Sequence, residues 1–184
     1  SAPRIWNLPN ILTMLRIALV PFFVWFLLAD APALEAQNGL WRWAAVVVFA
    51  AAIYTDKLDG DIARSRGLIT DFGKIADPIA DKLLIGSALV MLSLLGELPW
   101  WVTVLILVRE WGVTALRFFV IRYGVIPASR GGKLKTVIQT AAIFLYVMPL
   151  ASIAPWLGIL AFVVMMAALA ITVWTGAEYV VEAD

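Results

Sequence analysis

Residues 56–81 read DKLDGDIARSRGLITDFGKIADPIAD, and the reading of this stretch decides the rest. It holds six of the 13 acids of the chain, yet it lies between two apolar runs, AAVVVFAAAIY (44–54) and LLIGSALVMLSLLG (83–96). Charges next to or inside such runs are costly and mark function. Their spacing is regular. Asp56 and Asp59 stand three apart, Asp77 and Asp81 four apart, and Gly73 lies four before Asp77. On helices each set occupies one face. Gly60 and Ala63 are small and flank the first pair, which leaves room for a ligand or a neighbouring helix.

Composition says what kind of helices these are. Of the 184 residues, 63% are hydrophobic and 15% charged, and the net charge is +1; the mean hydropathy is +0.93. Soluble domains are about half apolar and about a quarter charged. A membrane-crossing helix needs about 20 apolar residues, so the length allows at most six or seven spans. We expect an all-α integral membrane protein, one transmembrane domain over residues 1–184, with six spans. These cover about 11–29, a stretch from Leu40, a stretch from Phe72, 99–122, 134–152 and 155–177. Gly39, Gly67, Pro99, Gly124, Gly131, Gly132 and Pro155 punctuate the joints. Ala29-Asp30-Ala31 resembles a signal-peptidase site, but the long apolar run and Arg16 argue that the first span is kept.

Arg4, Arg64, Arg66, Lys74, Arg122, Arg130, Lys133 and Lys135 fall on one side of these spans and only Arg42 on the other. The positive-inside bias then places both termini in the cytoplasm, in the cell membrane. The nine Trp mostly lie near span ends, as in an interfacial belt. The small net charge offers no polyanion-binding surface, so no nucleic-acid partner is expected.

There is no His and no Cys. That excludes His bases, serine–histidine triads, thiolate nucleophiles, disulfides, zinc–thiolate sites and Fe–S clusters. Four in-register carboxylates, Asp56, Asp59, Asp77 and Asp81, instead suit hard divalent cations, Mg²⁺, Mn²⁺ or Ca²⁺, and are enough for two ions in the arrangement that serves phosphoryl chemistry. Asp61 points off their face and Asp71 falls in a turn. A structural alternative pairs the acids with Lys57, Arg64, Lys74 and Lys82.

The same stretch resembles the signature of the CDP-alcohol phosphatidyltransferases, D-x2-D-G-x2-A-R-x8-G-x3-D-x3-D, with all eight fixed positions present at the right spacing. The six-span pattern is similar too. The resemblance implies that Asp56, Asp59, Asp77 and Asp81 hold two divalent cations, Mg²⁺ or Mn²⁺, and that Asp81 is the general base. It implies that Gly60, Ala63, Arg64 and Gly73 receive the CDP part of the donor, CDP-diacylglycerol, with Thr70 a further donor contact. It also suggests a homodimer in membrane lipid.

Two more polar clusters remain. Asn10, Thr13 and Arg16 share about a third of the first helix's surface, and their stretch NLPNILTMLR resembles the opening of the glycerophosphate-accepting branch, beside the nucleotide. The plain alternative is a cap at Asn10 and one snorkelling Arg. In the fourth span, Arg109, Glu110 and Arg117 fall within about 100° on a helical wheel. Residues 129–136, SRGGKLKT, open the fifth span as a glycine-rich basic helix start, suited to phosphate. Arg109, Arg117, Lys133 and Lys135 are therefore candidates for the acceptor's phosphate, with Glu110 orienting Arg109; anchoring on anionic lipid is the alternative for 129–135.

The branch resemblance implies sn-glycerol 3-phosphate as acceptor and CMP as the leaving group. An inositol-phosphate acceptor shares the signature. A metal transporter would instead spread its acids along a path through the bilayer, and a scaffold would not need them.

Overall fold

The computed structural model describes residues 7–67, 71–120 and 130–183. Every regular element among them is helical: α1 (Leu8–Asp30), α2 (Leu40–Arg66), α3 (Asp71–Leu94), α4 (Trp100–Val120), α5 (Arg130–Val147), a single turn α6 (Leu150–Ile153) and α7 (Pro155–Ala183). The chain divides into two units, Ser1–Met91 and Leu92–Asp184.

In the first unit α1 lies along α2. Its cap is Asn7, not Asn10: the Asn7 side chain accepts the Asn10 N–H at 3.0 Å, and Pro9 sits in the first turn, where a missing N–H costs nothing. Asn10 is thereby inside the helix and buried. The two helices meet through side chains with no exposure at all, Phe23 and Leu27 against Ala45, Phe49 and Ala52; the Phe23 and Phe49 rings are 5.6 Å apart. Ala80, Leu84, Ala88 and Leu89 give α3 a buried stripe at helical spacing.

The α1–α2 joint turns on Asp30. Its carboxylate is 2% exposed and accepts the N–H of Gly39 at 2.8 Å and of Asn38 at 3.1 Å, while its carbonyl accepts the Gln37 N–H. Asp30 thus caps the start of α2 from the end of α1, which locks the Ala29–Ala31 segment into the fold.

In the second unit α7 packs against α4, α5 and α6. Gly96, at φ +76°, closes α3 in the left-handed conformation that favours glycine, and the Ser93 and Thr103 hydroxyls, 2.5 Å apart, tie the end of α3 to α4. The fifth run differs from expectation. It begins at Arg130, four residues before the apolar stretch, because Arg130, two glycines and Lys133 form the helix's first turn. It stops at Val147 because Pro149 cannot continue it, and α6 follows. Ala154 is extended, as the residue before Pro155 must be. Asp71, expected in a turn, is the first residue of α3.

Leu8–Asp30 and Pro155–Val181 are long and apolar enough to cross a membrane. The intervening helices fall short because of their charges: Asp56, Lys57 and Asp59 on α2, Asp77, Asp81 and Lys82 on α3, Arg109, Glu110 and Arg117 on α4, and Arg130, Lys133 and Lys135 on α5. Their outward faces are nonetheless apolar, with Val47 66%, Val108 67% and Val137 66% exposed. So much exposed apolar surface is the exterior of a membrane protein.

Replacing Asp30 with Ala leaves two N–H groups without their acceptor. It is expected to lower stability by about 1–2 kcal/mol, read as a fall in the thermal unfolding midpoint in detergent, with Asp30→Asn losing less.

Candidate active site

Two polar clusters are built inside these units. The first lies where the last turns of α2 and the first turns of α3 meet α1. Asp59, on α2, is 2% exposed. Its Oδ2 accepts from the Arg16 Nη2 at 2.5 Å and from the Thr13 hydroxyl at 2.8 Å. Arg16 is wholly buried; its Nη1 lies 3.3 Å from Asp56 Oδ1, and its Nε donates to Thr55 at 3.4 Å. The Thr13 hydroxyl also approaches Asp77 Oδ1 and the Pro9 carbonyl. Asp81, Asp59 and Asp77 all act electrostatically on Asp56, so the four acids share one neighbourhood. Asp61 is exposed, off their face, and Gly73 is buried. Thr70 and the side chains of Ala63 and Arg64 lie outside the described residues.

Thr13 and Arg16, expected beside a nucleotide, are therefore bonded to the acids themselves. Helical spacing explains it: 13 and 16 lie one turn apart on the α1 face that meets α2.

Among the described residues no three acids are gathered as a ready metal cage. The donor set nevertheless fits a hard cation. It is all oxygen. Asp56 and Asp59 meet the Arg16 guanidinium, and Asp59 and Asp77 the Thr13 hydroxyl. The Thr13 hydroxyl has one proton and three acceptors around it, from Pro9, Asp59 and Asp77. Crowded acceptors of this kind are what a bound cation relieves.

The second cluster joins α4, α5 and α7. Glu110, 3% exposed, accepts from Lys135 Nζ at 2.7 Å, from Arg109 Nη1 at 3.4 Å and from Gln139 Nε2 at 3.4 Å. Arg109 also donates through Nε to the Thr172 carbonyl and through Nη2 to the Thr175 hydroxyl, both at 2.9 Å. Gln139 donates to the Thr172 hydroxyl at 3.2 Å. Arg117 lies over the ring of Tyr179, 5.6 Å from its centroid. So the structure brings Arg109 and Lys135 together through Glu110, sets Arg117 on a separate aromatic seat, and leaves Lys133 exposed on the first turn of α5. Glu110 does touch Arg109, as expected, but its shorter bond goes to Lys135. Lys135, buried, and Arg109, partly buried, share this one carboxylate, an arrangement that suits an anion.

Sequence reasoning missed Thr55, Gln139, Thr172, Thr175 and Tyr179. The signal was present on α7: Thr172, Thr175, Gly176 and Tyr179 recur at i, i+3, i+4 and i+7, a polar stripe on an otherwise apolar helix.

The acid cluster of the first unit suits a hard cation, and the cationic cluster of the second suits an anion. A profile of the CDP-alcohol phosphatidyltransferases matches residues 6–174. The chain belongs to that family. It is accordingly an enzyme, a transferase of substituted phosphate groups. It is 55% identical to a probable phosphatidylglycerophosphate synthase of Mycobacterium tuberculosis over 180 residues, 98% of this chain and 83% of the relative. It is 39% identical to the CDP-diacylglycerol–glycerol-3-phosphate 3-phosphatidyltransferase of Bacillus subtilis over 153 residues, 78% of this chain and 79% of the relative. To the protein so named in Rickettsia felis it is 38% identical over 178 residues, 94% of this chain and 93% of the relative.

The Glu110 cluster makes a stability prediction. Glu110→Gln removes the carboxylate from the buried Lys135 and the partly buried Arg109 and is expected to cost about 3 kcal/mol. Adding Lys135→Met should recover much of that, because losing both partners of a buried pair costs less than losing one. Thermal unfolding of the single and double variants in detergent measures it.

Proposed function

We propose that this enzyme transfers the phosphatidyl group of CDP-diacylglycerol to sn-glycerol 3-phosphate, giving phosphatidylglycerophosphate and CMP. The single observation that carries this is the complete acid signature, Asp56, Asp59, Asp77 and Asp81, with the acids of α2 and α3 drawn to one neighbourhood. The names of the relatives support the donor and the acceptor.

Asp56, Asp59, Asp77 and Asp81 would hold two divalent cations, Mg²⁺ or Mn²⁺, which when bound supply neutralisation of the donor's diphosphate. Gly60 and Gly73 let a nucleotide approach the backbone. Ala63, Arg64 and Thr70 complete the donor contacts together with Asn10, Thr13 and Arg16 beside the nucleotide, while Thr13 and Arg16 also hold the acids in register from α1. Arg109, Arg117, Lys133 and Lys135 bind the acceptor's phosphate. Asp81 takes the proton of the acceptor's 1-hydroxyl. The hydroxyl oxygen forms its bond to the phosphorus next to diacylglycerol, and that phosphorus releases CMP, which carries away the bridging oxygen.

A lipid donor with a nucleotide head explains the architecture. Six spans, with the acids at their cytoplasmic ends and both termini inside the cell membrane's cytoplasmic face, keep the acyl chains in lipid and the diphosphate at the surface. A pair of such chains as a homodimer is consistent with the wide apolar exterior.

Purified protein given CDP-diacylglycerol and Mg²⁺ or Mn²⁺ is expected to release CMP with glycerol 3-phosphate and not with inositol phosphate; the reverse would keep the metal site and change the acceptor. Asp81→Asn should retain donor binding and lose turnover by a factor of roughly 10² or more. Wild-type turnover in that variant would remove Asp81 as the base.

A further inference from the structure

α7 carries no charge between Pro155 and Ala177 and holds none of the candidate ligands, yet both arginines of the cationic cluster rest on it. Arg109 is held at three of its five N–H groups: Nε by the Thr172 carbonyl, Nη2 by the Thr175 hydroxyl and Nη1 by Glu110. Two N–H groups then remain, among the described contacts, to meet an anion. The arginine's stem occupies the space that a side chain at position 176 would need. A Cβ on Gly176 would stand 2.8 Å from Arg109 Cγ and 3.0 Å from its Nε. These are not the far end of a flexible chain, so any side chain at 176 moves the arginine or parts α4 from α7. One turn further along α7, the Tyr179 ring carries Arg117, and its buried hydroxyl has no partner among the described residues.

We propose that α7 positions the acceptor's phosphate ligands, with Thr175 and the bare backbone of Gly176 setting the guanidinium of Arg109 and the ring of Tyr179 setting that of Arg117. This rests on the reading of Arg109 and Arg117 as ligands of the acceptor. It makes Thr175, Gly176 and Tyr179 positioning residues: they determine how tightly glycerol 3-phosphate binds and leave donor binding alone. Three bonds fix Arg109 before the anion arrives, so its ordering is not charged against binding.

The test is steady-state kinetics of the full chain in detergent, varying glycerol 3-phosphate and CDP-diacylglycerol separately. Gly176→Ala is informative because alanine ordinarily firms a helix interior, so a loss points to the displaced arginine. It should raise the KM for glycerol 3-phosphate roughly tenfold with the KM for CDP-diacylglycerol unchanged. Thr175→Val should act in the same direction, and Thr175→Ser, which keeps the hydroxyl, should restore most of the affinity. Tyr179→Leu should also raise the acceptor KM.

Arg109→Gln separates the two ideas. If Arg109→Gln raises the acceptor KM while Gly176→Ala and Thr175→Val leave it unchanged, the positioning role is overturned and the acceptor site stands. If Arg109→Gln itself leaves the acceptor KM unchanged, the acceptor reading fails and this proposal with it. Equal changes in both KM values and kcat would show a merely structural role and overturn the proposal. Should Gly176→Ala fail to fold, the Thr175→Val and Thr175→Ser pair decides.

Discussion

The guanidinium of Arg16, wholly buried and 2.5 Å from an equally hidden Asp59, is the interaction on which the first half of the molecule depends. Neither charge is tolerable alone in such surroundings, since an unpaired buried ion costs several kcal/mol. Together with Thr13 they tie α1 to α2 and α3 through polar contacts, while Phe23 and Phe49 do the same through packing. The consequence is chemical as well as structural. α1 delivers one positive charge and one hydroxyl into a nest of four carboxylates. Those contacts hold Asp56, Asp59 and Asp77 in register, and the all-oxygen donor set suits hard cations.

The second half follows the same rule with the signs reversed. Glu110 is the minority charge, and Lys135 and Arg109 are gathered on it from α5 and α4. Here the arrangement favours an anion. Many of the bonds in each cluster cross between helices, so the contacts that prepare the chemistry also hold the helices together.

Much of this was legible in residues 56–81. Helical spacing alone puts Asp56 with Asp59 and Asp77 with Asp81, and apolar runs define the long helices to within a few residues, because hydropathy and period report the same physics that folds them. What escaped was decided by tertiary contact. Position on a wheel puts Thr13 and Arg16 on one face but does not say that this face bonds to the acids. Lys133 and Lys135 look alike in sequence, but only Lys135 turns inward to Glu110. The α5 start was displaced because its first turn is basic, so an apolar run does not reveal it. Asn7 and Asn10 are equal candidates for a cap until the Asn10 N–H is seen to bond to Asn7. The stripe on α7 had a readable period, but Thr and Gly carry no charge to draw attention among so many apolar neighbours.

The central claim is that this chain joins glycerol 3-phosphate to the phosphatidyl group of CDP-diacylglycerol. The most direct measurement follows radiolabelled glycerol 3-phosphate into the organic phase of a reaction containing purified protein and a divalent cation. The account predicts lipid-soluble label that requires CDP-diacylglycerol, is lost on chelation and is lost in Asp77→Asn. Label that stays in water while the donor is consumed, or label transferred equally well by a protein lacking the four aspartates, would contradict it.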